Sequence, residues 1–385
     1  MTIRAIWSHE EILGAEGLTR RSVLRTAAAG AAAGFAAPFM PMRSARAEIG
    51  GELQIMAWEG FQLDAEGKEW REKHGVTVDV VAIGNQDDVQ AKFVAGNPPP
   101  IDLAEYNQGY DKLYIEDLKI ISPLDESKIP NYNAEDIFPG FYKRPTWYKG
   151  GKLWGVPWTW GLNSLIYNPA AMAAPTSYTD LLKPELKGKI ALVDDTTATW
   201  PAAVRIAGLI DKFPNLTKEE MQKVFDNLKT YRDHARVIAL TYGDLISLMV
   251  SGEVVALFCG WSGIPVETGK QGVVTRYAIP TEGAVMWCDA WFTPISVDNS
   301  DTAHDFINLA VDPAVQAQTA KAVTAGAVNR KALDHMDDAT KALFDYGNLD
   351  AVFKAAPLYG IPPRESDTYA TYSDWVDAWN EFKVG

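Results

Sequence analysis

Residues 52–83 read ELQIMAWEGFQLDAEGKEWREKHGVTVDVVAI and alternate between two kinds of pattern. ELQIMAW (52–58) is a short apolar run typical of a strand, and VTVDVVAI (76–83) alternates valine with polar residues, which predicts a second strand. The residues between them, AEGKEWREKHG (65–75), predict a helix that ends at Gly75. A capped helix and the strand-like IDLAEYN (101–107) follow. The order β-α-β-α-β predicts an α/β fold.

The same alternation returns in the second half of the chain, after a long extended stretch. LWGVPWTWGLNSLIYNP (153–169) is rich in Trp and Gly and predicts this crossing. Beyond it, GKIALVDD (188–195) predicts a strand, and Thr217 and Glu220 form the capping box of a predicted helix. The last 14 residues contain an amphipathic helix whose apolar side includes Trp375 and Trp379. Two α/β blocks joined by extended crossings predict a ligand cleft between them.

The N-terminus carries the pattern of an export signal. Arg20 and Arg21 precede a weakly apolar Ala/Gly run, which is followed by ARA (45–47), a small-residue cleavage pattern. The run is too short and too rich in small residues for a stable membrane span. The order of these parts resembles a twin-arginine signal, which implies cleavage after Ala47 and a periplasmic mature protein. No Cys follows the run, so no lipid anchor is expected.

Charge and cysteine content argue against several functional classes. The first 47 residues hold six of the 36 basic and three of the 50 acidic side chains, so residues 48–385 have a formal net charge of −17. Such a surface disfavours nucleic acid and anionic membranes. The two cysteines, Cys259 and Cys288, can pair in an oxidising compartment, and the sequence leaves their pairing open. No CxxC or His/Cys spacing is present, so we expect neither a metal nor a cofactor.

One octet, VMWCDAWF (285–292), places a carboxylate between two tryptophans. In a strand, Trp287, Asp289 and Trp291 share one face, and the residues between them share an ordinary apolar face. A buried carboxylate needs a partner. Asp289 therefore has either an internal hydrogen-bonding partner or a place in a cleft where a cation binds. The spacing alone favours neither, and Trp291 is expected in the core or at a hinge.

Five longer pieces of sequence carry a family resemblance. They are WTWGLNSLIYNP, LLKPELKGKIALVDD, VSGEVVALFCGWSG, IPTEGAVMWCDAWFTP and FINLAVDPAVQAQTAKAVTAGAVNRKAL, in this order within residues 158–333. With them, residues 50–385 resemble the periplasmic spermidine/putrescine-binding proteins of ABC importers. The resemblance implies an α/β, two-lobed periplasmic binding protein fold of type II, with the ligand cleft between the lobes.

The resemblance also implies how the chain is divided and what it does. After the signal peptide of residues 1–47, lobe one would comprise residues 48–157 plus 289–332, and lobe two residues 160–286 plus 335–385. The protein would be a monomer that binds a polyamine or related cationic amine and delivers it to an inner-membrane permease. No catalytic residue is expected.

Polyamine binders hold their ligand in a box of aromatic rings, with carboxylates at the ammonium ends. By resemblance, Trp58, Trp261 and Trp287 supply rings, and Asp195 and Asp289 supply carboxylates. A charge-assisted hydrogen bond to an ammonium contributes roughly 1.5–3 kcal/mol, and a tryptophan face roughly 0.5–2 kcal/mol. Asp195 is also placed to cap the helix that follows it. The other candidate ligand contacts are Glu59, Tyr106, Asn107, Gln108, Trp160 and Glu365.

The chain departs from the family pattern at two places. The glutamate expected just after Asp195 is replaced by TTA (196–198), and the loop that normally supplies a first-lobe tyrosine reads EYNQGYDKL (105–113). Loss of one carboxylate favours a smaller cation with one charged end. A quaternary amine or betaine-like solute is therefore an alternative to a polyamine.

A second alternative is an exported thiaminase-like enzyme. In that case Cys259, close to Trp261, would act as the nucleophile and would need a general base nearby. The five histidines lie outside the cleft-like stretches, which argues against catalysis. An anionic or metal-bound solute is disfavoured because the matched positions contain no basic or His/Tyr cluster.

Overall fold

The computed structural model describes residues 49–58, 60–84, 86–94 and 100–384. The predicted export signal, its cleavage site after Ala47 and the candidate contact Glu59 lie outside these residues. None of the described helices is long and apolar enough to cross a membrane.

The described residues form thirteen strands and eleven α-helices. The strands are β1 (Gly51–Trp58), β2 (Val76–Ile83), β3 (Leu103–Asn107), β4 (Ile121–Ser122), β5 (Tyr148–Lys149), β6 (Lys152–Leu153), β7 (Val156–Tyr167), β8 (Ile190–Val193), β9 (Val237–Ala239), β10 (Ala256–Trp261), β11 (Arg276–Ala278), β12 (Val285–Pro294) and β13 (Gly326–Ala327). The helices are α1 (Lys68–His74), α2 (Gln86–Val94), α3 (Thr196–Ile206), α4 (Lys218–His234), α5 (Tyr242–Ser251), α6 (Ile264–Lys270), α7 (Ser300–Ala310), α8 (Pro313–Ala322), α9 (Asp338–Lys341), α10 (Leu349–Ala355) and α11 (Tyr372–Val384).

Short helical turns connect these elements. They are the 3₁₀ segments Gln108–Tyr110, Glu126–Lys128, Tyr178–Leu182, Pro184–Leu186, Ile210–Lys212, Arg330–Asp334 and Tyr346–Asn348, and one π-helical turn, Leu113–Asp117.

Eleven of the strands form one mixed sheet in which β7 and β12 are the long central pair. On one side of this pair the strand order is β2-β1-β3, and β1 runs parallel to both of its neighbours. On the other side the order is β10-β8-β9, again parallel. β12 runs antiparallel to β3 and β7, and β7 runs antiparallel to β10. Two sets of parallel strands therefore flank an antiparallel centre.

The local signals in the sequence produce the elements they predict. α1 ends at His74 because Gly75 takes a left-handed conformation, with φ of 62°, that glycine adopts without steric cost. α4 begins with the predicted capping box, in which Thr217 and Glu220 each accept a backbone N–H from the other. The α/β fold class is confirmed.

The helices bury their apolar faces on the two strand sets. On α11, Trp375 is fully buried, and its ring lies 5.1 Å from that of Trp200 on α3 and 5.5 Å from that of Phe225 on α4. On the other side, Phe306 of α7 packs 5.4 Å from Trp291 of β12. Trp291 is fully buried, which confirms its predicted place in the core.

Candidate functional site

A cavity of about 440 Å³ lies where the parallel strands of both sets end. In the first set, β1 ends at Trp58 and β3 ends at Asn107. In the second set, Asp195 follows β8 by two residues and β10 ends at Trp261. All four residues line the cavity. Ligands bind at this edge of α/β sheets because loops and helix N-termini from several strands meet there. The cavity is therefore the candidate binding site.

The lining of the cavity combines aromatic rings with carboxylates. Asp195 and Asp289 are each only 5% exposed, and a third carboxylate, Glu267, lies 2.7 Å from the amine of Lys270. None of the described residues that line the cavity is Lys, Arg or His. Buried acidic groups without a basic partner in the same cavity favour a cationic ligand. The lining rings are those of Trp58, Phe61, Tyr242, Trp261 and Trp287.

Asp289 lies at the centre of the sheet, because β12 pairs there with both of its neighbours. Its partners across the strands are Asn107 on β3 and Thr159 on β7. The Asp289 carboxylate accepts a hydrogen bond from Nδ2 of Asn107 at 3.4 Å. Burial and the nearby charge of Asp195 raise the pKa of Asp289 to about 7, against the opposing effect of Asn107. A bound cation would favour the ionised form of this carboxyl.

Asp195 caps the N-terminus of α3 and also lines the cavity. As the N-cap of α3 it accepts hydrogen bonds from the backbone N–H of Thr197 at 2.9 Å and from the Thr197 hydroxyl at 2.6 Å. Its second oxygen accepts a bond from the Tyr242 hydroxyl at 2.7 Å. Burial nevertheless raises the pKa of Asp195 above its usual range. The predicted capping role and the predicted cavity position therefore coincide in one residue.

Glu105 on β3 is a buried carboxyl behind the cavity wall that sequence reasoning missed. One oxygen accepts the backbone N–H of Trp58 at 2.9 Å, and the other accepts Nε1–H of Trp158 at 2.7 Å. Burial raises the pKa of Glu105 well above its usual range, and the charge of Asp289 adds to the rise. Glu105 thus fixes the end of β1, where Trp58 meets the cavity. The strand period was the available signal, since Glu105 and Asn107 share a face of β3.

Two cavity rings lie directly over glycines. Trp287 pairs with Gly161 across β12 and β7, and a Cβ on Gly161 would overlap the indole of Trp287. A Cβ on Gly263 would overlap the indole of Trp261 in the same way. The absence of a side chain at these positions lets each ring lie flat against the backbone. The orientation of both rings is therefore set by their neighbours as well as by their own strands.

Six of the eleven candidate contacts meet at this cavity. They are Trp58, Asn107, Asp195, Trp261, Trp287 and Asp289.

Four other candidates are not brought to the cavity. Tyr106 precedes Asn107 on β3, and its ring packs 5.7 Å from Phe292 in the core. Gln108 bonds to the backbone of β12, accepting from the N–H of Cys288 at 2.7 Å, and lines a separate small cavity of about 20 Å³. Glu365 is exposed on the surface. Tyr106 points away from the cavity because neighbouring side chains on a strand lie on opposite faces of the sheet, and Asn107 occupies the cavity face.

Trp160 is the fourth of these candidates. It is fully buried, and its indole N–H donates to the carbonyl oxygen of Ala327 at 2.9 Å. Its ring packs 4.8 Å from that of Phe344. Trp158 is also fully buried, against Trp291 at 5.3 Å. Neither tryptophan lines the described cavity, so the candidate contact Trp160 is not brought to it.

Both cysteines are free thiols in the core. Cys259 is fully buried, does not line the cavity, and donates to the carbonyl oxygen of Ala198 at 3.7 Å. Burial raises the pKa of the Cys259 thiol, and the charge of Asp195 adds to the rise. A nucleophilic cysteine needs the opposite, an accessible thiol with a lowered pKa. The alternative of an enzyme that uses Cys259 therefore finds no support in the geometry. No group of three or more metal-ligating side chains lies within the described part of the chain.

A model of the family of bacterial extracellular solute-binding proteins matches residues 67–345. The chain belongs to this family. The spermidine/putrescine-binding periplasmic protein of Escherichia coli K12 is 25% identical to it over 285 residues, which cover 73% of this chain and 79% of that protein. The putrescine-binding periplasmic protein PotF of the same organism is 23% identical over 300 residues, covering 73% of this chain and 78% of that one.

Solved structures of other solute-binding proteins share the fold. A Listeria monocytogenes protein described as a spermidine/putrescine ABC transporter superposes with a TM-score of 0.75 at 22% identity, covering 86% of this chain and 99% of that one. The TpPotD lipoprotein of Treponema pallidum superposes with a TM-score of 0.68 at 18% identity, covering 87% and 100%. The two-lobed periplasmic binding protein fold inferred from the sequence is confirmed.

The close approach of Trp287 to Gly161 is testable without a ligand. We expect Gly161→Ala to lower the free energy of unfolding by about 1–3 kcal/mol, because the added methyl group overpacks the indole. Equilibrium unfolding in urea measures the change. Gly269→Ala is the matched control, since a Cβ there meets nothing within 4 Å. An equally stable Gly161→Ala protein would show that the ring is not held against this strand.

Proposed function

We propose that this solute-binding protein serves an ABC importer and that it binds a polyamine in the described cavity. The observation that carries the proposal is the pairing of two buried carboxylates, Asp195 and Asp289, with aromatic rings and without a basic side chain among the described lining residues. The names of the E. coli relatives point to the same class of solute. The proposal includes export by the twin-arginine pattern, cleavage after Ala47, a periplasmic location and action as a monomer beside an inner-membrane permease.

The chemistry of the lining suits an alkylammonium. Asp289 has one long hydrogen bond, at 3.4 Å to Asn107, so its oxygens retain capacity for a strong donor. An ammonium meets that capacity with a charge-assisted hydrogen bond. The faces of Trp58, Trp261 and Trp287 offer apolar surface for methylene groups and cation–π attraction for the charged end. Rings and carboxylates on the same cavity therefore match both parts of a polyamine.

A polyamine needs acidic groups at more than one place. Asp195 and Asp289 both line the cavity without a basic partner there, and Glu267 of α6 is a third lining carboxylate, paired with Lys270. The cavity therefore keeps two unpaired acidic groups, although TTA at 196–198 replaces the glutamate that the family pattern expects. This supports a polyamine over a cation with one charged end.

In this proposal the two sets of parallel strands belong to two lobes, with the cavity between them. β7 and β12 pass from one set to the other, and the crossings inferred from the resemblance, at residues 157–160 and 286–289, fall within these two strands. On this basis the proposal retains residues 48–157 and 289–332 for lobe one and residues 160–286 for lobe two.

We propose a third crossing near residue 355, whereas the resemblance implies one at 332–335. The ring of Phe353 packs 5.1 Å from that of Phe141, which belongs to lobe one. The Arg205 guanidinium of α3, in lobe two, donates instead to the carbonyl oxygen of Ala355 at 3.0 Å. Residues 335–354 are therefore assigned to lobe one and the remainder to lobe two.

Closure of the lobes over the ligand is the first expected outcome. Spermidine at saturating concentration should lower the radius of gyration of the protein, because a hinge closes the interlobe cleft. Small-angle X-ray scattering with and without spermidine measures this. Identical scattering curves from a protein that calorimetry shows to be saturated would contradict closure.

The second expected outcome concerns Asp289. Asp289→Asn keeps the shape of the side chain and removes its charge, so affinity for spermidine and putrescine should fall roughly 10- to 100-fold. Isothermal titration calorimetry at pH 8, above the pKa of Asp289, measures the change. Glu365→Gln removes an exposed carboxylate outside the cavity and should change affinity less than twofold. If Asp289→Asn binds spermidine as tightly as the parent does, Asp289 is not the group that binds the ammonium.

A further inference from the structure

We propose that Tyr242 is a positioning residue for recognition of the cation. Its hydroxyl holds the Asp195 carboxylate in the ionised form on the cavity wall, so that the charge of Asp195 attracts the ligand at neutral and mildly acidic pH. The inference rests on the proposed function, because it concerns the same cavity and the same class of cation. Tyr242 is not among the residues that the family resemblance implies for the site.

The two carboxylate oxygens of Asp195 have different partners. Oδ1 accepts two hydrogen bonds from Thr197, from the backbone N–H at 2.9 Å and from the hydroxyl at 2.6 Å. These bonds form the N-cap of α3. Oδ2 accepts a hydrogen bond from the Tyr242 hydroxyl at 2.7 Å. Tyr242 therefore supplies a donor to the oxygen that the Thr197 bonds leave open.

The Tyr242 hydroxyl is held in place from several sides. Tyr242 is the first residue of α5, whose N-cap Thr241 forms a capping box with Asp244. Its ring packs edge-on against that of Trp261 at 6.1 Å, and both rings line the cavity. The amide nitrogen of Asn163 donates to the same hydroxyl at 3.4 Å. The donor is therefore positioned for the carboxylate before any ligand arrives.

A hydroxyl that donates to a carboxylate favours its ionised form, because the ionised oxygen is the stronger acceptor. Burial raises the pKa of Asp195, and the hydrogen bonds from Thr197 and Tyr242 oppose that rise. Burial also raises the pKa of Tyr242, so the phenol keeps the proton that it donates. Loss of the Tyr242 hydroxyl would therefore make Asp195 easier to protonate.

Two further titratable groups interact with Asp195, the Asp289 carboxyl of β12 and the Cys259 thiol of β10. The charge of Asp195 raises the pKa of both groups, and burial is the larger cause in each case. The Cys259 thiol donates to the carbonyl oxygen of Ala198 and not to Asp195. Neither group therefore replaces the hydrogen bond that Tyr242 makes.

This role does not require the ligand to touch Tyr242. The charge of Asp195 acts through space on a cation in the cavity, and none of the described lining residues is a basic side chain that would neutralise it. Protonation of Asp195 removes that attraction. Because loss of the hydroxyl raises the pKa of Asp195, affinity for the cation should be lost from a higher pH downwards.

The experiment measures the affinity for putrescine by isothermal titration calorimetry from pH 5 to pH 9 in the parent and in Tyr242→Phe. The ratio of the two affinities at each pH cancels the titration of the ligand itself. Tyr231→Phe is the matched control, since Tyr231 of α4 is buried, does not line the cavity, and has a hydroxyl without a hydrogen-bond partner among the described residues. If Tyr242→Phe does not fold, Tyr242→Leu also lacks the hydroxyl and carries the same expectation of a pH-dependent loss.

Tyr242→Phe should bind putrescine within about threefold of the parent at pH 9 and roughly tenfold more weakly near pH 5–6, whereas Tyr231→Phe should match the parent throughout. In an Asp195→Asn protein the further change Tyr242→Phe should have the same effect at every pH, since no carboxyl remains for the hydroxyl to act on. A loss that is independent of pH in the Asp195 protein, or no loss at all, overturns the role of Tyr242 while the proposed function stands. If the parent binds neither putrescine nor spermidine, the proposed function fails and the inference fails with it.

Discussion

The structure depends on one electrostatic constraint, the burial of Asp289 and Asp195 in one cavity without a basic side chain among the described lining residues. The charge of Asp195 disfavours ionisation of Asp289, and desolvation disfavours ionisation of both carboxyl groups. A cation bound in the cavity would offset this cost. The same two carboxylates would therefore determine both the electrostatic potential of the cavity and its affinity for a cation. In the proposed function, the ionised carboxylates supply the affinity for a cation, because the cation offsets the cost of burying their charge.

The surrounding residues fix the positions of these carboxylates and of the aromatic rings beside them. Glu105 ties the end of β1 to β7 through Trp58 and Trp158, so one cavity ring is fixed by a carboxyl outside the cavity. Gly161 lets the Trp287 indole lie against the central strand. Tyr242 connects Asp195 to the amide of Asn163. These contacts hold the rings and charges of the cavity in a fixed relation, which is what selective recognition requires.

Much of the fold was predictable from local signals. The β-α-β-α-β order, the end of α1 at Gly75 and the capping box of α4 depend on residues close together in sequence. The cavity residues Trp58, Asp195 and Asp289 were predicted from a family resemblance carried by long motifs. Residues 108–153 form only short elements, and no periodicity in the sequence predicted them.

The parts that sequence reasoning missed depend on contacts between distant residues. Glu105 meets Trp158 across 53 positions, and Tyr242 meets Asp195 across 47. The choice of strand face was a second source of error, since Tyr106 precedes Asn107 on β3 but does not line the main cavity. Side-chain orientation along a strand alternates with every residue, so a motif match that is off by one position selects the wrong face.

The most direct test of the central claim is proton release on binding. Spermidine is titrated calorimetrically at pH 6 and pH 9 in buffers of different ionisation enthalpy. With a pKa of about 7, Asp289 is largely protonated in the free protein at pH 6 and ionised at pH 9, whereas alkylammonium groups stay largely protonated at pH 6. The account predicts release of about one proton per ligand at pH 6 and no release from Asp289 at pH 9. A binding enthalpy that is independent of buffer at pH 6, or a net uptake of protons there, would contradict it.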